Sequence, residues 1–283
     1  MSTGIIDSHQ HIWRLDTGLY GWLKPESGVL YRDFPADELA PLLRQNGVDA
    51  TILVQAADSE AELPLLVEAA ERCGFVAGIV APLQIARPGA AQRIANARDV
   101  PRLVGYRPPF SSLVDAGGQV REDSVPALAE MSAQGMSLDC LVRGDALAAL
   151  PRLSQAFPDL RMIVDHGGAP NLTGNAPSAD WMTAIAALAR QPRIFCKLSG
   201  LLTLLPAGQS RRIVADHIDI LLDQFGPERL LWGSDWPVLT RSAGYGDWLA
   251  YCEEHLSSRS EADRHAIFAG AARSAYRLPS PSL

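Results

Sequence analysis

Two histidines with a single residue between them, His9 and His11 in "IIDSHQHIW", close the first apolar run of the chain. On a helix, positions two apart point to different sides and cannot share a ligand. On a strand they fall on one face, together with Asp7 two residues earlier. Ile5 and Ile6 are β-branched and Gly4 precedes them, which favours a strand. Two imidazoles that converge in this way can hold a divalent metal, or donate hydrogen bonds to a carbonyl oxygen that is taking up charge. Further along, "VDHGGAP" offers Asp165 and His166, and "GSDWP" offers Asp235. A carboxylate beside imidazoles can take a proton from water and return it to a departing oxygen.

Groups so far apart in sequence need a frame that brings them together. After the first run come "ATILVQAA", "FVAGIVAPL", "RLVGYRPPF", "SLDCLVR", "RMIVDHGGAP", "RIFCKLSGL" and "RLLWGSDWP". From the second onward these runs recur roughly every 25 to 35 residues, the size of one βα unit. The segments between them read as helices. "SEAELPLLVEAAERCG" carries the Ser59–Glu62 spacing of a capping box and a stop at Gly74. "PADELAPLLRQNG" puts Leu39, Leu42 and Leu43 on one stripe and ends at Gly47, and "SVPALAEMSAQG" ends at Gly135. "RRIVADHIDILLDQFG" lines up Ile213, Val214, His217, Leu221 and Leu222, and "EADRHAIFAGAARSAYRL" supplies a helix after the last strand. Several runs are apolar on both faces, as parallel strands covered by helices require. The expected fold is α/β, a single (β/α)8 barrel of the TIM type over residues 1–283. Residues 14–33, rich in Trp, Tyr and Gly, form an insertion after the first strand. No GxGxxG follows any strand, so a dinucleotide site is not expected.

In such barrels the chemistry sits at the C-terminal ends of the strands. Those ends carry His9 and His11, then Gln55, Arg107, Arg143, Asp165 with His166, Lys197, and Asp235. His217, His255 and His265 fall in helices and read as structural. A formal charge of −7 argues against nucleic acid or an anionic membrane as partner. "MSTGIID" has neither the basic nor the apolar region of a secretory signal, and no apolar stretch reaches bilayer length. Cys73, Cys140, Cys196 and Cys252 are far apart with no CxxC, and read as free thiols in a reducing compartment. The expected location is cytoplasmic.

"DSHQHIW", "ILVQAA", "LVGYR", "VDHGGAP", "KLSGL" and "LLWGSDWP" follow in order across almost the whole chain. Together they resemble the amidohydrolase superfamily, most of all the branch of 2-pyrone-4,6-dicarboxylate lactonase and the sugar lactonases. The resemblance implies His9, His11 and Asp235 as metal ligands, with Asp235 and His166 as catalytic groups. Two departures bear on the metal: Arg107 stands where a bridging Lys or Glu would be needed, and Leu141, Val142 and Arg143 leave the fifth strand without a His. A binuclear centre is therefore not expected; the resemblance implies one divalent metal, zinc foremost, or a metal-free site.

The expected activity is hydrolysis of the lactone ring of a sugar acid or related carboxylated lactone, with Asp235 activating the water. Arg107, Lys197, Gln55 and Trp236 are expected to bind the substrate, and Arg143 offers a second guanidinium for a carboxylate. The alternatives on the same barrel are a decarboxylase, which by resemblance needs a His on strand 5, and a lactone isomerase. The expected partner is a small lactone, with a homo-oligomer left open.

Overall fold

The structure, a computed structural model, describes residues 4–279. Eight strands in sequence order form one parallel sheet. They are β1 (Ile5–Gln10), β2 (Val48–Val54), β3 (Val76–Ala81), β4 (Leu103–Tyr106), β5 (Ser137–Cys140), β6 (Arg161–Val164), β7 (Ile194–Leu198) and β8 (Leu230–Trp232). The sheet closes on itself just beyond β8. There His11 N donates to Trp236 O at 2.7 Å and Asp235 N donates to His9 O at 2.8 Å. The result is the (β/α)8 barrel that the repeating apolar runs predict.

Apolar residues on both faces of the strands have two destinations. Ile6, Ile52, Val54, Val80, Ile163, Phe195 and Leu231 form one buried cluster with Ala272, Ala275 and Tyr276 of the last helix. Ser137 Oγ and Arg161 Nε both donate to Ala275 O at 2.7 Å, so that helix plugs the N-terminal end of the barrel. The alternate residues, such as Leu53, Ile79, Val164 and Trp232, pack outward against the helix layer.

The helices are α1 (Ala36–Gln45), α2 (Leu63–Arg72), α3 (Ala90–Asn96), α4 (Val125–Gln134), α5 (Leu150–Ala156), α6 (Ala179–Ala189), α7 (Leu201–Leu204), α8 (Arg212–Phe225), α9 (Tyr245–His255), α10 (Glu261–His265) and the plugging helix α11 (Ala271–Tyr276). On α8 the stripe Ile213, Val214, His217, Leu221 and Leu222 is buried, as its spacing predicts. Gly135 ends α4 at φ +70°, a conformation that a residue with a Cβ adopts only under strain.

Three local expectations are corrected. Glu62 does not close a capping box with Ser59: its carboxylate turns back to accept from Ala56 N and Ala57 N at 3.0 Å. Helix α2 stops at Arg72 with an extended Cys73, before Gly74 is reached. The tail is not one α-helix, because a π turn over Ala266–Gly270 separates α10 from α11.

Residues 14–33 hold two short 3-10 segments, Leu15–Thr17 and Pro25–Leu30. They are pinned where Trp13 and Phe34 pair antiparallel and where Trp22 Nε1 donates to Ala56 O at 2.8 Å. Among the described residues no helix is long and apolar enough to cross a membrane. All four cysteines are buried free thiols.

The pairing of β1 with β2 is irregular where it matters most. Asp7 lies opposite Thr51 and Gln10 opposite Leu53, three steps on β1 against two on β2. One extra residue in one strand is a β-bulge, and it re-aims the side chains that follow.

Candidate active site

The bulge decides which side chains of "DSHQH" reach the site. Regular alternation would place Asp7, His9 and His11 on one face. Instead Asp7 turns away and accepts hydrogen bonds from Ser234 N at 2.8 Å, Ser234 Oγ at 2.6 Å and Tyr245 OH at 2.9 Å. Burial pushes its carboxyl up to about 6, against those hydrogen bonds. Asp7 thus clamps the end of β1 to the loop after β8. His9 and His11 stay together, with their Nε2 atoms 3.0 Å apart.

Two other strand ends bring partners to this pair. Asp235 Oδ1, past β8, lies 3.5 Å from His11 Nε2 and 3.7 Å from His9 Nε2. It lies 4.0 Å from His166 Nε2, past β6. Both Asp235 and His166 have left-handed backbones, at φ +60° and +54°. Non-glycine residues held there cost about 1–3 kcal/mol each and persist where the surroundings dictate the position. Two glycines leave the room. A Cβ on Gly200 would stand 2.6 Å from His166 Nδ1, and one on Gly233 would stand 2.9 Å from His9 Cβ.

The donor set fits one small divalent ion. Zinc bonds of about 2.0–2.1 Å in a tetrahedron put neighbouring donors roughly 3.3–3.4 Å apart. The His9, His11 and Asp235 donors are separated by 3.0, 3.5 and 3.7 Å. His11 is already oriented for this role, since its Nδ1 donates to Val54 O at 2.8 Å and leaves Nε2 with its lone pair. His9, His11 and Asp235 are one group that could hold a metal; His9, Asp165 and His166 also lie close enough together, but Asp165 is already engaged by Lys197 and Arg107.

Beneath the histidines lies a buried charge network. Lys197 Nζ donates to Asp139 Oδ2 at 2.5 Å, sits 3.0 Å from His9 Nδ1, and lies 2.9 Å from Asp165 Oδ1. Burial alone would raise Asp165, but Lys197, His9 and Arg107 together hold it well below the usual carboxylate range. Burial pushes His9 well down, with the Lys197 charge adding to the effect, so its imidazole is neutral. His166 is pushed down by burial too, and its Nδ1 lies 2.9 Å from Ser199 Oγ.

Several expected substrate contacts have other positions. Lys197 is fully buried under the site floor and its donors are taken by the network. Arg107 spends one hydrogen of Nη1 on Asp165 at 2.9 Å and one of Nη2 on Gln55 O at 2.5 Å, and its Nε is buried without a partner. Gln55 returns a bond from Nε2 to Arg107 O at 3.0 Å, so the two brace each other. Trp236 is buried, edge-on to Phe34, in the packing behind the site. Arg143 does not join the cluster; it lines a cleft of about 870 Å³ between the loops after β4 and β5, with Phe110, Arg121 and Arg152. His217 lies in α8 with Nδ1 2.6 Å from Ile213 O, and His255 pairs with Asp219, both away from the site.

Sequence reading passed over Asp139, Ser199, Tyr276 and the two glycines. Only Asp139 carried a signal, a lone carboxylate inside the apolar run "SLDC". Buried charges occur paired, so that residue pointed to a cation elsewhere in the core.

Comparisons with known proteins identify the family. The amidohydrolase family description matches residues 6–278. An L-fucono-1,5-lactonase of Burkholderia ambifaria is 34% identical over 98% of this chain and 97% of its own length. A crystallised amidohydrolase of Burkholderia multivorans with bound zinc superposes with a TM-score of 0.89 at 33% identity, over 98% of this chain and all of its own. A probable 2-pyrone-4,6-dicarboxylic acid hydrolase of Acinetobacter baumannii shares the fold, with a TM-score of 0.81 at 15% identity over 97% of this chain and all of its own.

Proposed function

The chain belongs to the amidohydrolase family, and on that premise we propose that it is a lactonase that hydrolyses the ring of a sugar-acid lactone. The observation that carries this reading is the 34% identity, end to end, with an L-fucono-1,5-lactonase. In the reaction the oxygen of water bonds to the lactone carbonyl carbon and the ring carbon–oxygen bond breaks, giving an open hydroxy acid. The Asp235 carboxylate takes the proton from the water and hands it to the departing ring oxygen. His166, neutral through burial, lies with Nε2 4.0 Å from Asp235 Oδ1, close enough to help position the carbonyl. Arg107 and Gln55 hold the wall of the site rigid through their mutual bonds. Zinc held by His9, His11 and Asp235 would polarise the carbonyl and lower the pKa of a bound water. Four free thiols support the cytoplasmic reading.

The test is acid release, followed with a pH indicator, on L-fucono-1,5-lactone, other sugar lactones and 2-pyrone-4,6-dicarboxylate. Turnover of sugar lactones well above the spontaneous rate is expected. Turnover of none of them overturns the reading.

A further inference from the structure

His9 Nδ1 has two candidate partners, and they demand opposite states of the ring. An ammonium has hydrogens to give and no lone pair with which to receive. Lys197 Nζ, 3.0 Å away, therefore makes His9 Nδ1 an acceptor and leaves the ring hydrogen on Nε2. His11 is set the other way, because Val54 O can only accept and so fixes the hydrogen on His11 Nδ1. The 3.0 Å contact between the two Nε2 atoms is then a hydrogen bond from His9 to His11. In that state His9 has no lone pair to offer an ion.

We infer that Lys197 is a positioning residue that locks His9 in the Nε2–H tautomer and so opposes the metal, while Asp165 waits as the partner for the metal-binding tautomer. Asp165 Oδ1 lies 3.4 Å from His9 Nδ1. It is buried and accepts no aligned hydrogen bond, despite the nearness of Lys197 Nζ. A His9 ring carrying its hydrogen on Nδ1 would satisfy that oxygen and turn the Nε2 lone pair outward, the carboxylate–histidine–metal arrangement. The chain thus holds both settings of one imidazole in the same pocket. This goes beyond the lactonase reading and holds whichever substrate is turned over.

The test uses metal-free protein labelled with ¹⁵N only in histidine, where long-range proton–nitrogen spectra tell acceptor from hydrogen-bearing ring nitrogens. Zinc affinity is read separately, by competition with a chromophoric chelator. In the unsubstituted protein His9 Nδ1 is expected to be the acceptor and Nε2 to carry the hydrogen. Lys197→Met combined with Asp139→Asn, which removes the pair together, is expected to move the hydrogen to Nδ1 and tighten zinc about 10-fold. Asp165→Asn is expected to weaken zinc about 10- to 100-fold. A hydrogen on Nδ1 in the unsubstituted metal-free protein overturns the inference. So does tighter zinc in the double variant without a change of tautomer, which is the effect of charge alone. Loss of affinity in both variants also overturns it, since that is what a merely structural role gives. If the double variant does not fold, the spectrum of the unsubstituted protein decides. Failure on every lactone leaves these readouts untouched.

Discussion

Gly233 and His9 are packed so closely that a Cβ on the glycine would lie 2.9 Å from His9 Cβ and 3.0 Å from His9 N. Backbone cannot yield as a flexible side chain does, so Gly233→Ala must push the end of β1. A catalytic group displaced by about 1 Å costs on the order of 10²-fold in rate. Gly233→Ala is expected to lose kcat/KM on that scale and about 1–3 kcal/mol of stability in urea titrations. Gly21→Ala, with nothing within 4 Å of the added methyl, is the control and should match the unsubstituted protein in both.

Asp235→Asn keeps the size of the side chain and removes its basicity. General acid–base catalysis contributes about 10²- to 10⁴-fold, and kcat is expected to fall by that much. Substrate affinity, read by calorimetry with a slowly turned-over lactone, should change far less. A kcat near that of the unsubstituted enzyme would take Asp235 out of the proton transfer.

Chelation separates the roles of the histidine pair. Treatment with a strong chelator is expected to abolish lactone opening, and stoichiometric zinc to restore it. His11→Ala should lower the zinc content measured by atomic absorption, because it removes a ring already oriented by Val54. Full activity after exhaustive chelation would make the pair hydrogen-bond donors instead of ligands.

The barrel was readable because each βα unit repeats the same pattern of apolar run, helix and stop. The convergence of His9, His11, His166 and Asp235 was readable because all four stand at the ends of apolar strands that a barrel brings to one rim. The direction in which such a group points was not readable. Lys197 and Arg107 stand at strand ends like the histidines, yet both turn to buried carboxylates. Asp7 was assigned to the histidine face by alternation, which a one-residue bulge breaks, and a bulge leaves no mark on side-chain types. Asp139 was visible as an anomaly, but its partner lies 58 residues away and only the closed barrel joins them.

Glu62 gives a pH test that is independent of catalysis. Burial raises its carboxyl from 4.5 to about 7, despite the two backbone N–H groups it accepts from. An acid whose folded pKa is raised binds its proton more tightly when folded, so the ionised form destabilises the fold. Its contribution is neutral below pH 4.5, turns unfavourable through the window from 4.5 to 7, and levels off above. Between pH 5 and 8 the shift corresponds to about 2 kcal/mol. Glu62→Gln, measured by urea unfolding at both pH values, should be more stable than the unsubstituted protein at pH 8 and lose most of that margin at pH 5. An equal effect at both values would mean that Glu62 does not titrate in this range.

The plug of the barrel touches the same wiring as the histidines. Tyr276 OH donates to Asp139 Oδ2 at 2.7 Å, Asp139 holds Lys197, and Lys197 holds His9. His9 belongs to β1 and Tyr276 to α11, so this relay joins the first strand of the barrel to the helix that plugs it. A disturbance at the closed floor of the barrel therefore has an unbroken path of contacts to the histidines at its mouth.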